Sequence, residues 1–245
     1  MNTDRLIEAL DLDGKRMATI AADLPLDTPV PSCPDWKLRQ LLRHLGWVHR
    51  WAGTIILERR TERPGREEIT PDGWPPDQQL VDWFRQGHRR VVTALEEAPD
   101  DLECWKWRGL TSPRAFWARR QAHETAIHRV DIELTVGELT GFDPDFASDG
   151  IDELMVFFLS LPDRGPRTPE PLTLRVVASD TDRRWTASLG PEASPGLEGG
   201  EGPAGCTVTG RASDLYLYLW NRAGSDDLLI EGDGAVLDCW FSGPF

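Results

Sequence analysis

The chain has 245 residues, enough for one large domain or two small ones, and its 40% apolar and 28% charged content is that of a soluble globular protein. A formal net charge of -14 argues against a nucleic-acid partner, because phosphate recognition needs a basic surface. No apolar run reaches membrane-spanning length, and the amphipathic, acidic N-terminus lacks a signal-peptide core, so a cytoplasmic protein with no membrane partner is expected.

Residues 3–24 read as a first helix, with Leu6, Ala9, Leu10, Met17, Ile20 and Ala21 on one apolar stripe. The proline-rich turn PLDTPVPSCPDW follows. A second helix is predicted from Lys37 to Arg59, where Leu38, Leu41, Leu42, Leu45, Val48, Ala52 and Ile55 keep helical spacing. The Pro-, Gly- and charge-rich stretch TERPGREEITPDGWPPD reads as a loop. A third helix should span about Gln78 to Ala98. A fourth should run from about Pro113 to Leu139, with Ser112 as its cap and Pro113 at the first helical position, where a missing N–H costs nothing. The segment ASDGIDELMVFFLSLP reads as a shorter fifth helix packed on the others, completing a bundle that reaches residue 162.

Residues 163–171 read as a linker, and the period then changes. LTLRVVA, RRWTASLG and CTVTGR alternate as half-buried strands do. ASDLYLYLWNRA reads as a helix with Ser213 or Asp214 near its cap, and LLIEGDGAVLDCWF as a strand, a Gly turn and a closing helix. The run GPEASPGLEGGEGPAG between the strands reads as a flexible loop. Residues 172–245 therefore form a small α+β domain. The cysteines, Cys33, Cys104, Cys206 and Cys239, show no CxxC or disulfide-framework spacing and read as reduced, mostly buried thiols. The 11 tryptophans are scattered, so core packing and pocket lining are both open to them.

Chemistry concentrates on the fourth predicted helix, in HETAIHRVDIEL. Glu124 and His128 lie four apart and so share a helix face, an arrangement by which one helix offers two ligands to a divalent ion inside a bundle. A solvated surface pair is the alternative. The segment is not the zinc-protease HExxH motif, since His123 and His128 are five apart and lie on different faces; His123 reads as interfacial or surface. On the second helix His44 shares the apolar face of Leu41, Leu45 and Val48, as a ligand or as a buried, hydrogen-bonded core histidine; His49, on an adjacent face, is the competing candidate. Asp131 follows His128 by three residues and either orients that imidazole or pairs, exposed, with Arg129 or Arg114.

Taken together, PSCPDWKLRQLLRHLGWVHRWA, HETAIHRVDIEL and VTGRASDLYLYLWNRAGSDDLLIEGD resemble the mycothiol-dependent maleylpyruvate isomerase family, within the DinB/YfiT-like superfamily of metal-binding four-helix bundles. The resemblance covers nearly the whole chain. It implies an N-terminal DinB-like helical bundle followed by a sterol-carrier-like α+β domain. It also implies a metal triad of His44, Glu124 and His128, with Asp131 in the pattern HExxxHRxD and Arg222 facing the active site to hold a substrate carboxylate. The family often has Gly before that arginine, where this chain has Asn221.

By implication the cofactors are a divalent metal, zinc by ligand type, and mycothiol or a similar low-molecular-weight thiol. The thiolate adds to a small electrophile, and a cis-enedioate isomerises after rotation about the new single bond; in a transferase the adduct is kept. The partners are small molecules, and monomer and homodimer are both compatible with the chain. A metal-dependent hydrolase activating water, and a non-catalytic metal-binding stress or regulatory module, are the alternatives.

Overall fold

The structure, a computed structural model, describes residues 1–107, 111–200 and 202–243. Its chain divides into two compact units, Met1–Thr140 and Gly141–Phe245. The first contains α1 (Thr3–Ala22), α2 (Leu38–Leu57), the single turn α3 (Arg66–Ile69), α4 (Leu80–Glu97) and α5 (Pro113–Leu134). The second contains α6 (Pro144–Asp152), strands β1 (Leu172–Ala178), β2 (Arg184–Leu189), β3 (Leu197–Glu198) and β4 (Cys206–Gly210), then α7 (Ala212–Leu219), β5 (Leu229–Gly232) and α8 (Ala235–Ser242).

In the first unit the four long helices pack as predicted, α1 on α5 and α4, and α2 on α4 and α5. Met17, Leu38, Leu41, Leu42, Leu45, Leu80, Phe84 and Ile132 form one buried cluster between them. Each such side chain removed from water stabilises the fold by about 1.5–3 kcal/mol. Helices α2 and α4 approach closely at Gly46, where a Cβ would sit 2.3 Å from the Trp83 ring. The Arg50 guanidinium lies 3.8 Å from that ring's centroid and donates to the Trp83 carbonyl at 2.6 Å.

Three boundaries differ from expectation, each for a local reason. Helix α5 ends at Leu134 rather than Leu139, because Gly137 turns the chain at φ +70° and Arg129 and Glu133 capture the main chain of Thr140. The predicted loop over residues 61–77 contains α3, whose first turn is closed by Glu68 accepting from the Gly65 N–H at 2.8 Å. Helix α6, read from sequence as part of the bundle, belongs with the second unit: Asp143 caps it, it packs on α7, and it continues through a π turn over Glu153–Phe157. The contact boundary thus falls after Thr140, upstream of the linker predicted over residues 163–171.

The second unit is built on a mixed five-stranded sheet of order β3-β2-β1-β4-β5. Its β1–β4 pair is parallel, with Val176 beside Val208, and the other pairs are antiparallel. The predicted alternation puts Leu174, Val176, Ala178, Trp185, Ala187 and Val208 in the core. Neither Ser213 nor Asp214 caps α7; Asp180, after β1, accepts from the Ala212 N–H at 2.8 Å, and the Ser213 hydroxyl accepts from Phe142 N–H. One residue of the predicted Gly/Pro loop, Glu201, lies outside the described residues. All four cysteines are free, but only Cys206 is fully buried; the others are half-buried. No helix among the described residues is long and apolar enough to cross a membrane.

Candidate metal centre

Helix α5 sets the centre's frame. Ser112 accepts from the Ala115 N–H and Pro113 opens the helix, as the sequence implied. One turn separates Glu124 from His128, and the two side chains meet with His128 Nε2 3.6 Å from Glu124 Oε1. From α2, His44 Nε2 reaches the same carboxylate oxygen at 3.0 Å. These three ligand atoms lie within 4.8 Å of one another. Ligands held at about 2.0–2.1 Å from a tetrahedral ion sit about 3.4 Å apart, so the spacing suits one divalent ion. The centre is not sealed: His44 is 36% exposed, Glu124 22% and His128 12%.

A second layer holds these groups in place. Arg120, one turn before Glu124, donates to Glu124 Oε2 at 2.8 Å, leaving Oε1 to the two imidazoles. Asp131 accepts from His128 Nδ1 at 2.7 Å, which fixes the tautomer that presents Nε2 to the centre. It is fully buried, not exposed. Its other oxygen accepts from the Ser32 hydroxyl at 2.5 Å, and Cys33 Sγ lies 3.7 Å from Oδ2. The indole of Trp36 stacks on His128 at 6.0 Å and tilts against His44 at 5.0 Å, closing one side.

The charges follow from this packing. Burial works against ionisation of Glu124, but hydrogen bonds from His128 and His44 and the charge of Arg120 outweigh it and hold the carboxyl well below its usual range. Burial would likewise lower His128, yet Asp131 and Glu124 push it up to about 9. The site is therefore organised for positive charge, and an ion entering it would displace the His128 proton.

His49, the competing candidate, is absent from this cluster: it is fully buried, with Nε2 2.9 Å from Thr125 Oγ1. His123 is buried as well, which fits its interfacial reading and not its surface one, because α5 is covered on several faces. Arg222 lies in the second unit and donates to the Trp220 carbonyl at 2.6 Å. Asn221 before it adopts φ +56°, the left-handed position that ends α7, with Arg222 N–H bonded back to Leu217 O. The Asn-for-Gly departure thus keeps the helix end, since asparagine tolerates this conformation.

Sequence reasoning missed Ser32, Cys33 and Arg120. Arg120 carries a visible signal, its i,i+4 spacing to Glu124; Ser32 carries none, being 99 residues from Asp131. It also missed a cavity of about 710 Å³ bordered by His44 and Trp36 and walled by Arg43, Trp47, Arg63, Arg66 and Trp74. Part of that wall comes from the stretch read only as a loop.

Residues 10–133 match the family model described as the mycothiol maleylpyruvate isomerase N-terminal domain, and residues 145–238 match that of the family's C-terminal domain. No curated protein matches the chain in sequence. Among solved structures, the mycothiol-dependent maleylpyruvate isomerase superposes with TM-score 0.65 at 16% identity, covering 94% of this chain and 93% of that one. A histidine-to-alanine mutant of that enzyme gives TM-score 0.67 at 15% identity over the same shares. With both domain models matched in order, the chain belongs to the mycothiol maleylpyruvate isomerase family.

Proposed function

We propose that this chain is a metal-dependent enzyme that uses mycothiol, or a thiol like it, to isomerise or conjugate a small unsaturated electrophile. The observation that carries this reading is the convergence of His44 Nε2, Glu124 Oε1 and His128 Nε2, backed by buried Asp131. Two nitrogens and one oxygen form a donor set with an open position, as in catalytic rather than structural zinc sites. A divalent ion bound there, zinc by ligand type, would lower the pKa of a thiol and supply thiolate at neutral pH.

The chain's own residues do the rest. Asp131 orients His128 and, through Ser32, is itself fixed. Arg120 keeps one oxygen of Glu124 occupied, so the carboxylate offers a single oxygen. Trp36 shields the imidazoles on one side, and the cavity beside His44 gives the electrophile room. Arg222 is assigned to a substrate carboxylate on the family resemblance alone. Thiolate addition to a cis-alkene opens the double bond, rotation follows, and loss of the thiolate returns the trans alkene with no net oxidation. Retention of the adduct would make the reaction a transfer.

Metal analysis of the wild type beside His44→Ala and Glu124→Ala tests this, together with mycothiol-dependent conversion of maleylpyruvate. About one equivalent of metal, absent from both variants, and turnover only with thiol are expected. A wild type that stays metal-free after zinc addition, or turnover that persists without thiol, would overturn the reading.

A further inference from the structure

The cavity bordered by His44 departs from the charge of the whole chain. The formal net charge is -14, yet Arg43, Arg63 and Arg66 line the cavity and no Asp or Glu does. Arg63 and Arg66 make no ion pair with a carboxylate among the described residues; their guanidinium carbons lie 5.4 Å from the Trp51 centroid and 4.8 Å from the Trp74 centroid. Arg43 has one long contact, 3.5 Å to Asp77, whose carboxylate is already held by Arg39 through two hydrogen bonds. The guanidiniums of Arg63 and Arg66 thus line the cavity with no carboxylate of the described residues against them. A ligand carboxylate would supply them with charge-assisted hydrogen bonds.

The walls limit what can supply that acceptor. Trp36, Trp47 and Trp74 contribute apolar indole surface to the cavity. A small aliphatic dicarboxylate would meet the guanidiniums and leave these surfaces against water. A neutral sugar would stack on indoles and leave the cations unanswered. A carboxylate on an aromatic or extended conjugated body meets both, and about 710 Å³ is ample for it.

We infer that this cavity binds an aryl-bearing, conjugated carboxylate, with its ring on the tryptophan wall and its carboxylate on Arg63 and Arg66. The inference rests on the proposed function for the name electrophile, but the binding itself needs neither metal nor thiol. It makes the cavity a specificity-determining part of the site, one that accepts an aliphatic enedioate and favours an aryl-bearing electrophile over it.

Calorimetric titration of the full chain with cinnamate, cinnamamide and fumarate tests it, before and after chelator treatment. Cinnamate should bind about tenfold or more tighter than either of the others, roughly what one charge-assisted contact is worth against cinnamamide and one buried ring on the indoles against fumarate. The Arg63→Gln/Arg66→Gln double variant should lose the preference over cinnamamide, and Trp74→Leu the preference over fumarate. Both arginines are exposed, and unchanged melting curves would show the variants folded. Fumarate binding as tightly as cinnamate, no cinnamate binding, or wild-type preferences surviving in the variants would overturn the inference. A protein without metal or turnover would sink the proposed function and leave these titrations readable.

Discussion

Two pairs of histidines in the same bundle have opposite fates. Helix α2 sends His44 to Glu124 and His49 to Thr125, adjacent residues of α5, at 3.0 and 2.9 Å. His128 completes the first pair and His88, with its ring 5.5 Å from that of His49, the second. Around the first pair stand two carboxylates, which hold His128 charged against the cost of burial. Around the second stand a hydroxyl and the Leu10 carbonyl, and burial pushes both imidazoles below their ordinary value, His49 far below it. Depth of burial therefore does not decide the charge of a histidine. The acceptor it meets does: a carboxylate prepares a place for a cation, while a hydroxyl or carbonyl leaves a neutral packing element.

The largest expected effect breaks the first pair. His128→Ala should weaken metal binding by about 100-fold or more, beyond the loss usual for an outer partner, while the sheet unit stays folded. His49→Leu should leave the metal content unchanged. Full metal occupancy in His128→Ala, read by elemental mass spectrometry, would cancel the distinction. Asp131→Asn comes next, with a loss of about 10–100-fold in metal affinity at unchanged helix content by circular dichroism. Wild-type affinity in that variant would mean that the 2.7 Å contact does not orient His128.

The second pair is sharpened by pH. A buried imidazole whose pKa is lowered binds fewer protons folded than unfolded, so its contribution is present above the unfolded value of 6.5 and lost as pH falls below it. Denaturant midpoints of the metal-free protein should fall from pH 6.5 toward about pH 5, and fall less in His49→Leu. Asp13, which burial raises to about 6, acts in the opposite sense, so the difference between the two proteins isolates His49. Parallel midpoints would show His49 to take up a proton as readily folded as unfolded. The smallest effect serves as a control: Asn221→Ala, which forces alanine into φ +56°, should destabilise the second unit by about 1 kcal/mol and leave both pairs intact. A change in metal content in that variant would tie the helix end to the centre.

Much of this was legible from local pattern. Four-residue spacing put Glu124 and His128 on one face and three-residue spacing brought Asp131 to the same imidazole, because helical geometry acts over one turn. Alternation marked β1, β2 and β4, and the cap at Ser112 opened α5 at the predicted residue. The end of α5 was less legible, because it depends on Arg129 and Glu133 catching a carbonyl and an N–H of Thr140. The grouping of α6 was illegible too, since its apolar face fits a bundle or a sheet layer equally well.

Local sequence thus determined the four long helices, the strands β1, β2, β4 and β5, the family and the Glu124/His128 pair that one helix can present. Only the packing of α2 on α5 decided that His44, not His49, meets Glu124, because a helix's rotation about its axis is set by every contact along its length. Only the fold brought Ser32 to Asp131 across 99 residues and turned a loop bearing Arg63, Arg66 and Trp74 into a cavity wall. Spacing reaches as far as one turn or one strand pair; a site assembled from separate elements exists only once the core between them has formed.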